Sequence, residues 1–95
     1  MHGYDLIRAE RIRQVQSENY SAEDDEGNEL ELILAALSYL RVVSIRMDNG
    51  DEADAWLEWP WDLSYFNPGP KNKRTLVKAG ALIAAAIDAL PEEDA

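Results

Sequence analysis

Leu30-Glu31-Leu32-Ile33-Leu34-Ala35-Ala36-Leu37-Ser38-Tyr39-Leu40-Arg41-Val42-Val43-Ser44-Ile45-Arg46 is the stretch on which the fold turns. From Leu30 to Leu40 apolar residues fall on nearly every face of a helix, around Ala35 and Ala36. Such a helix belongs at the centre of a core. Past Arg41 the run Val42-Val43-Ser44-Ile45 is β-branched enough to form a strand. Two readings diverge there. Either the helix continues through Arg46, or a strand begins, turns at Asn49-Gly50 and returns along Ala53-Asp54-Ala55-Trp56-Leu57-Glu58-Trp59 as a small β-hairpin.

Downstream, Trp59-Pro60-Trp61-Asp62-Leu63-Ser64-Tyr65-Phe66-Asn67-Pro68 gathers two of the three tryptophans and the only phenylalanine of the chain. Its prolines fix φ and remove donors, which makes it a rigid, non-helical aromatic corner. Such a corner either plugs a small core or presents flat rings to a ligand. Lys71, Lys73, Arg74 and Lys78 follow as the one concentrated positive patch, at the start of a last helix that Asn72 is placed to cap. Leu76, Gly80, Ile83, Ile87 and Leu90 recur at helical spacing and predict its buried stripe, with Gly80 at a close approach to another helix. Pro91 ends it before a short acidic tail, residues 91–95, expected to be flexible.

Upstream, Tyr4 to Glu18 holds no proline or glycine and predicts a helix with a thin apolar stripe of Leu6, Ile7, Ile12 and Val15. Arg8 and Arg11 share one face of it. Its arginines either pair with Asp5, Glu10 and the acidic loop that follows, or form an anion-binding surface. The expected fold is mainly α, a single domain over residues 1–95. It is a compact bundle of about three helices with room for a small β-hairpin and an aromatic, proline-rich loop.

Composition narrows the chemistry. The 95-residue chain has no cysteine and a single histidine, His2, so disulfides, thiolate metal sites and histidine triads lack the residues that build them. Glu23-Asp24-Asp25-Glu26 and Asp48-Asn49-Gly50-Asp51-Glu52 are acidic without the ligand spacing of a calcium loop, and neither a metal nor a cofactor is expected. The longest apolar run, Ala79 to Ala89, is interrupted by Gly80 and Asp88 and falls short of a membrane span. No signal-peptide pattern opens the chain, and a cytoplasmic location is expected. A formal charge of −10 disfavours direct nucleic-acid binding, which needs clustered cations. Homo-oligomerisation stays open.

Five blocks occur in order: Glu10-Arg11-Ile12-Arg13-Gln14, Glu18 through Asp25, Glu29 through Tyr39, Trp59-Pro60-Trp61-Asp62, and Leu76 through Ile83. Together they resemble a family of small uncharacterised proteins of tailed phages and prophages, over about Glu10 to Leu90. The resemblance implies a phage or prophage origin and no established activity. Where the family pattern has Gly-Trp before a Ser or Thr, this chain has Asn19-Tyr20. Where it has histidines beside an acidic pair, this chain has Asp24 in one such place, so no role of those histidines carries over. Arg11-Ile12-Arg13-Gln14 near Tyr20-Ser21, with the aromatic-proline corner, is also faintly similar to the repeat domains of ryanodine receptors. Bacterial relatives of those domains have been proposed to recognise nucleotides.

Two expectations of function follow. The first is a non-enzymatic counter-defence factor that binds a nucleotide-like ligand. Trp59 and Trp61 would stack on the base, Lys73 and Arg74 would hold the phosphate, and Arg11 and Gln14 would complete the site. The second is an acidic inhibitor of anti-CRISPR or DNA-mimic type. It would present Glu23, Asp24, Asp25 and Glu26 to a host nucleic-acid-handling defence protein. No glycine-rich phosphate loop, nucleophile-base pairing or spaced ligand set appears, so catalysis is not expected.

Overall fold

The computed structural model describes residues 1–17, 27–51 and 54–92. They form three α-helices: α1, Gly3–Ser17; α2, Glu29–Met47; and α3, Asn72–Ala89. A 3-10 turn, Leu63–Tyr65, lies in the connection between α2 and α3. No strand occurs among the described residues. Glu18, Glu23, Asp24, Asp25, Glu26, Glu52, Ala53 and the end of the acidic tail lie outside them.

Of the two readings open after Arg41, the helical one is found and the small β-hairpin is not: α2 runs unbroken to Met47. Leu32, Ala35, Ala36, Tyr39, Val42 and Val43 are all buried, and their spacing is that of one helical face. Helical geometry therefore keeps both valines in the core. The helix-propensity cost of a β-branched residue is only a few tenths of a kcal/mol, roughly, and packing outweighs it. Asn49-Gly50 is a helix stop rather than a hairpin turn. Asn49 sits in the left-handed region at φ 56°, the Gly50 N–H bonds the Ile45 carbonyl at 2.8 Å, and the Asn49 N–H bonds that of Arg46 at 3.2 Å. Those paired bonds close the last turn of a helix in the manner of a Schellman motif. Beyond the stop, Leu57 bonds back to Asp54 and Trp59 to Trp56. The segment expected to return as a strand is thus coiled into turns.

At the C-terminal end of α2, Arg46 donates to the Gly69 carbonyl at 2.7 Å and to Asn72 Oδ1 at 3.3 Å, at the very start of α3. With the end of one helix held at the beginning of the next and a core cluster shared between them, α2 and α3 run antiparallel. Asn72 is therefore no cap; it is the first helical residue, and its side chain receives Arg46. Thr75, wholly buried, turns its hydroxyl to the carbonyl of Pro68, with that of Lys71 at 3.1 Å. This pins the end of the aromatic corner to the first turn of α3.

The seam between α2 and α3 is made of small side chains. Ala35, Ala36, Ala79, Ala85 and Ala86 belong to the buried cluster with Leu32, Tyr39 and Leu82. Helices faced with methyl groups approach closely, and every inserted carbon is felt. α3, not α2, is the helix that packs on both others, which corrects the expectation of a central helix at Leu30–Leu40. On α1 the stripe is thinner than expected: Leu6 and Ile7 are half-buried, while Ile12 and Val15 are exposed. The larger corrections concern Leu76, Ile83, Ile87 and Leu90, expected to be buried and found exposed.

Gly80 does lie at a helix contact. A methyl group built there would come within 2.5 and 2.8 Å of Ile7 Cδ1 and Cγ1 on α1. Gly80→Leu is expected to lower stability by about 1–3 kcal/mol through overpacking, read as a melting midpoint lowered by roughly 4–8 °C per kcal/mol. Gly80→Ala asks only the Ile7 side chain to shift and should cost less. An unchanged midpoint for Gly80→Leu would show that α1 does not dock at this point.

Candidate functional site

The aromatic corner is neither a fully buried plug nor a free platform. Trp59 is its centre, with ring centroids 5.2 Å from Tyr39, 5.3 Å from Trp61 and 5.1 Å from Phe66. The contacts with Trp61 and Phe66 are edge-on, the geometry that ring quadrupoles favour. Trp59 also donates its indole N–H to the Asp62 carbonyl at 3.0 Å, which locks the ring plane. Asp62 accepts the Ser64 N–H at 2.8 Å. That bond, first of all, holds its carboxyl below the usual range and starts the 3-10 turn that carries Tyr65. Trp59, Trp61 and Phe66 pack on the α2–α3 cluster while remaining half-exposed.

Their open side faces a pocket of about 580 Å³. Tyr39, Trp59, Trp61 and Tyr65 form one wall, and Leu82 belongs to the lining as well. The polar side comes from α1 through Glu10, Arg13 and Gln14, and from α3 through Lys78. Lys78 donates to the Asn67 carbonyl at 2.8 Å, and the Asn67 N–H bonds the Tyr39 hydroxyl at 3.2 Å. One hydrogen-bonded chain thus ties the last helix, the corner and α2 around the rim.

Glu10 is the organising charge. Its side chain is 1% exposed, yet Arg13 grips it with two bonds of 2.9 Å and Arg74 reaches it from α3. Gln14 adds a weaker contact at 3.5 Å. Burial by itself pushes the Glu10 pKa up, but the hydrogen bonds and charges of Arg13 and Arg74 outweigh it and hold the carboxyl below its ordinary value. A carboxylate so saturated stays ionised and is a poor proton acceptor near neutrality. Its role is to join α1 to α3 and to orient Arg13 along the pocket edge.

The residues expected to bind ligand are only partly brought together. Gln14, Trp59 and Trp61 line the pocket. Arg74 stands behind it, committed to Glu10. Arg11 turns to the other end of α3, with Nε 3.9 Å from the Asp88 carboxylate, and Lys73 is exposed away from the pocket. The cationic patch at the start of α3 is thus split by the helix itself: Arg74 and Lys78, four apart, share a face, and Lys73 is turned off it. Sequence reading had Tyr65 in the aromatic corner and Lys78 in the positive patch, but did not assign Glu10, Arg13 or Tyr39 to the site. The i, i+3, i+4 spacing of Glu10, Arg13 and Gln14 was the available signal for the first two. Glu23, Asp24, Asp25 and Glu26, the expected partner-binding residues, lie outside the described residues. Among the described residues no three acidic or histidine side chains converge as metal ligands, and no helix is long and apolar enough to cross a membrane.

No protein-family model, curated protein or solved structure matches the chain. The site must therefore be read from its own geometry.

Glu10 supplies a pH test. Its folded-state pKa is lowered, so its contribution to stability is present above the ordinary carboxylate value and is lost as pH falls through the lowered folded value. Glu10→Gln is expected to cost about 1–3 kcal/mol at neutral pH, since two arginines lose a charged partner. Chemical denaturation of parent and variant should show that gap closing as pH drops below about 4. A gap that is constant with pH would mean that the carboxylate is not paired in solution.

Proposed function

We propose that the protein is a non-enzymatic binder of a small, planar, anionic ligand of nucleotide type, and that it acts as an accessory factor in phage or prophage counter-defence. The observation that carries this reading is the pocket's two-sided chemistry. Half-exposed Trp61 and exposed Tyr65 offer ring faces on one side, and Arg13, Gln14 and Lys78 offer donors on the other. A base stacks on rings of this kind whatever its identity, and a phosphate suits the cationic edge. The volume of about 580 Å³ falls within the range of small-ligand pockets. The described lining holds two cations to one carboxylate in a chain whose formal charge is −10, which would draw an anion to this point of the surface. The phage setting rests on the sequence resemblance alone.

Isothermal titration of the protein against a panel of mononucleotides, cyclic nucleotides and dinucleotides tests the reading. At least one is expected to bind, with Lys78→Glu weakening it by tenfold or more and Trp61→Leu by a similar factor, roughly 1.4 kcal/mol each. Lys73→Glu, off the pocket, should leave affinity unchanged. Binding lost equally in all three variants would place the ligand outside this pocket. Absence of binding by every nucleotide in the panel would remove the reading in favour of the acidic protein-binding inhibitor.

A further inference from the structure

Six positions of α2 are exposed: Leu30, Ile33, Leu37, Leu40, Ser44 and Met47. They are spaced 3, 4, 3, 4 and 3 residues apart, the a/d repeat of a helix that packs on another helix. Five of the six are large and apolar, and Leu30 and Met47 are 63% and 75% exposed. None is charged, in a chain with 19 acidic residues. The charges of α2 fall at other positions: Glu29 and Glu31 stand in its first turn, Arg41 pairs with Glu58 at 3.4 Å and Arg46 with the start of α3. A helix bounding a soluble domain ordinarily turns its polar face outward. α2 has an apolar face on both sides.

α3 repeats the pattern. Leu76, Ile83 and Ile87 are exposed along it, Ile87 at 65%, and Leu90 follows just past its end. At 100° per residue both stripes are turned about a third of a turn from the shared seam, in the direction of increasing residue number. In an antiparallel pair that direction leads to the same flank from either helix. Lys78 and Arg74, which look toward the pocket and α1, are turned the other way.

We infer that this flank is a self-association surface, on which a second copy of the chain packs its own α2–α3 face about a two-fold axis to make a four-helix core. The area decides for a copy rather than a passing contact. The exposed parts of these nine apolar side chains amount to on the order of 800 Å², above the largest patch of an ordinary monomer and about what each partner brings to a stable interface. A two-fold axis makes the patch its own complement, apolar against apolar, with no like charges brought into the centre. The periodicity of Leu76, Ile83, Ile87 and Leu90 also acquires a meaning, since residues patterned for burial are buried in the pair. The pocket stays open on the opposite flank.

Sedimentation equilibrium of the full chain over roughly 1–100 µM tests the inference, because dimers form by mass action. The expected mass at the top of that range is twice 10.7 kDa. Leu37→Glu combined with Ile83→Glu should return it to the monomer value at every concentration while leaving helical circular dichroism unchanged, both sites being on the surface of the single chain. Ser44→Leu, which completes the stripe, should tighten association at least several-fold and keeps the inference open to refutation even if the double variant fails to fold. A parent that sediments as a monomer throughout overturns the proposal, as does a dimer whose affinity neither the double variant nor Ser44→Leu changes.

Discussion

The close approach of α2 and α3 through alanine is the constraint from which the remaining structure follows. Ala35, Ala36, Ala79, Ala85 and Ala86 leave little space for further bulk beside Leu32, Tyr39 and Leu82. Trp59, Trp61 and Phe66 consequently gather at the side of the seam, packed on it, on Tyr39 and on each other. That displacement turns a proline-rich connection into a pocket wall. The polar groups inside the seam obey the same limit. Ser38 and Thr75 are small, and each directs its hydroxyl to a backbone carbonyl, and no buried side-chain nitrogen or oxygen among the described residues lacks a partner.

The helical class, the aromatic corner and the Gly80 contact were all legible in the residues, because each rests on a local property: apolar periodicity, proline geometry and a missing side chain. The choice between hairpin and continuing helix stayed open in the residues at two points for the same reason. Val42-Val43 and Asn49-Gly50 carry local preferences for strand and turn, and both were overruled by the face that α2 shares with α3, which extends helical burial to Val43 and turns Asn49 into a helix stop. Burial of Leu76, Ile83 and Ile87 was misread: periodicity tells that a stripe is apolar, and the face of α3 that is buried runs instead through Thr75, Ala79, Leu82 and Ala86.

The polar half of the pocket was hardly legible. Arg11 and Lys73 looked equivalent to Arg13 and Lys78 in sequence; helical position turns the members of each pair to different faces, and the packing of α1 on α3 decides which face meets the pocket. Glu10 and Arg11 are adjacent, yet one meets Arg74 and the other Asp88, contacts fourteen positions apart on α3, or about 21 Å of helix. Charges spread by long side chains over such a distance are sorted by tertiary geometry, which composition does not record.

Glu10, Arg13 and Gln14, the polar edge of the pocket, all ride on the helix with the thinnest apolar anchorage. α1 is held by Ile7 against Gly80, by Glu10 with Arg74 and by Arg11 with Asp88, whereas the other wall stands on the alanine seam. The two walls are therefore unequally anchored, and the docking of α1 is the contact that costs less to break. An occupant touching both walls would add its own binding free energy to that docking.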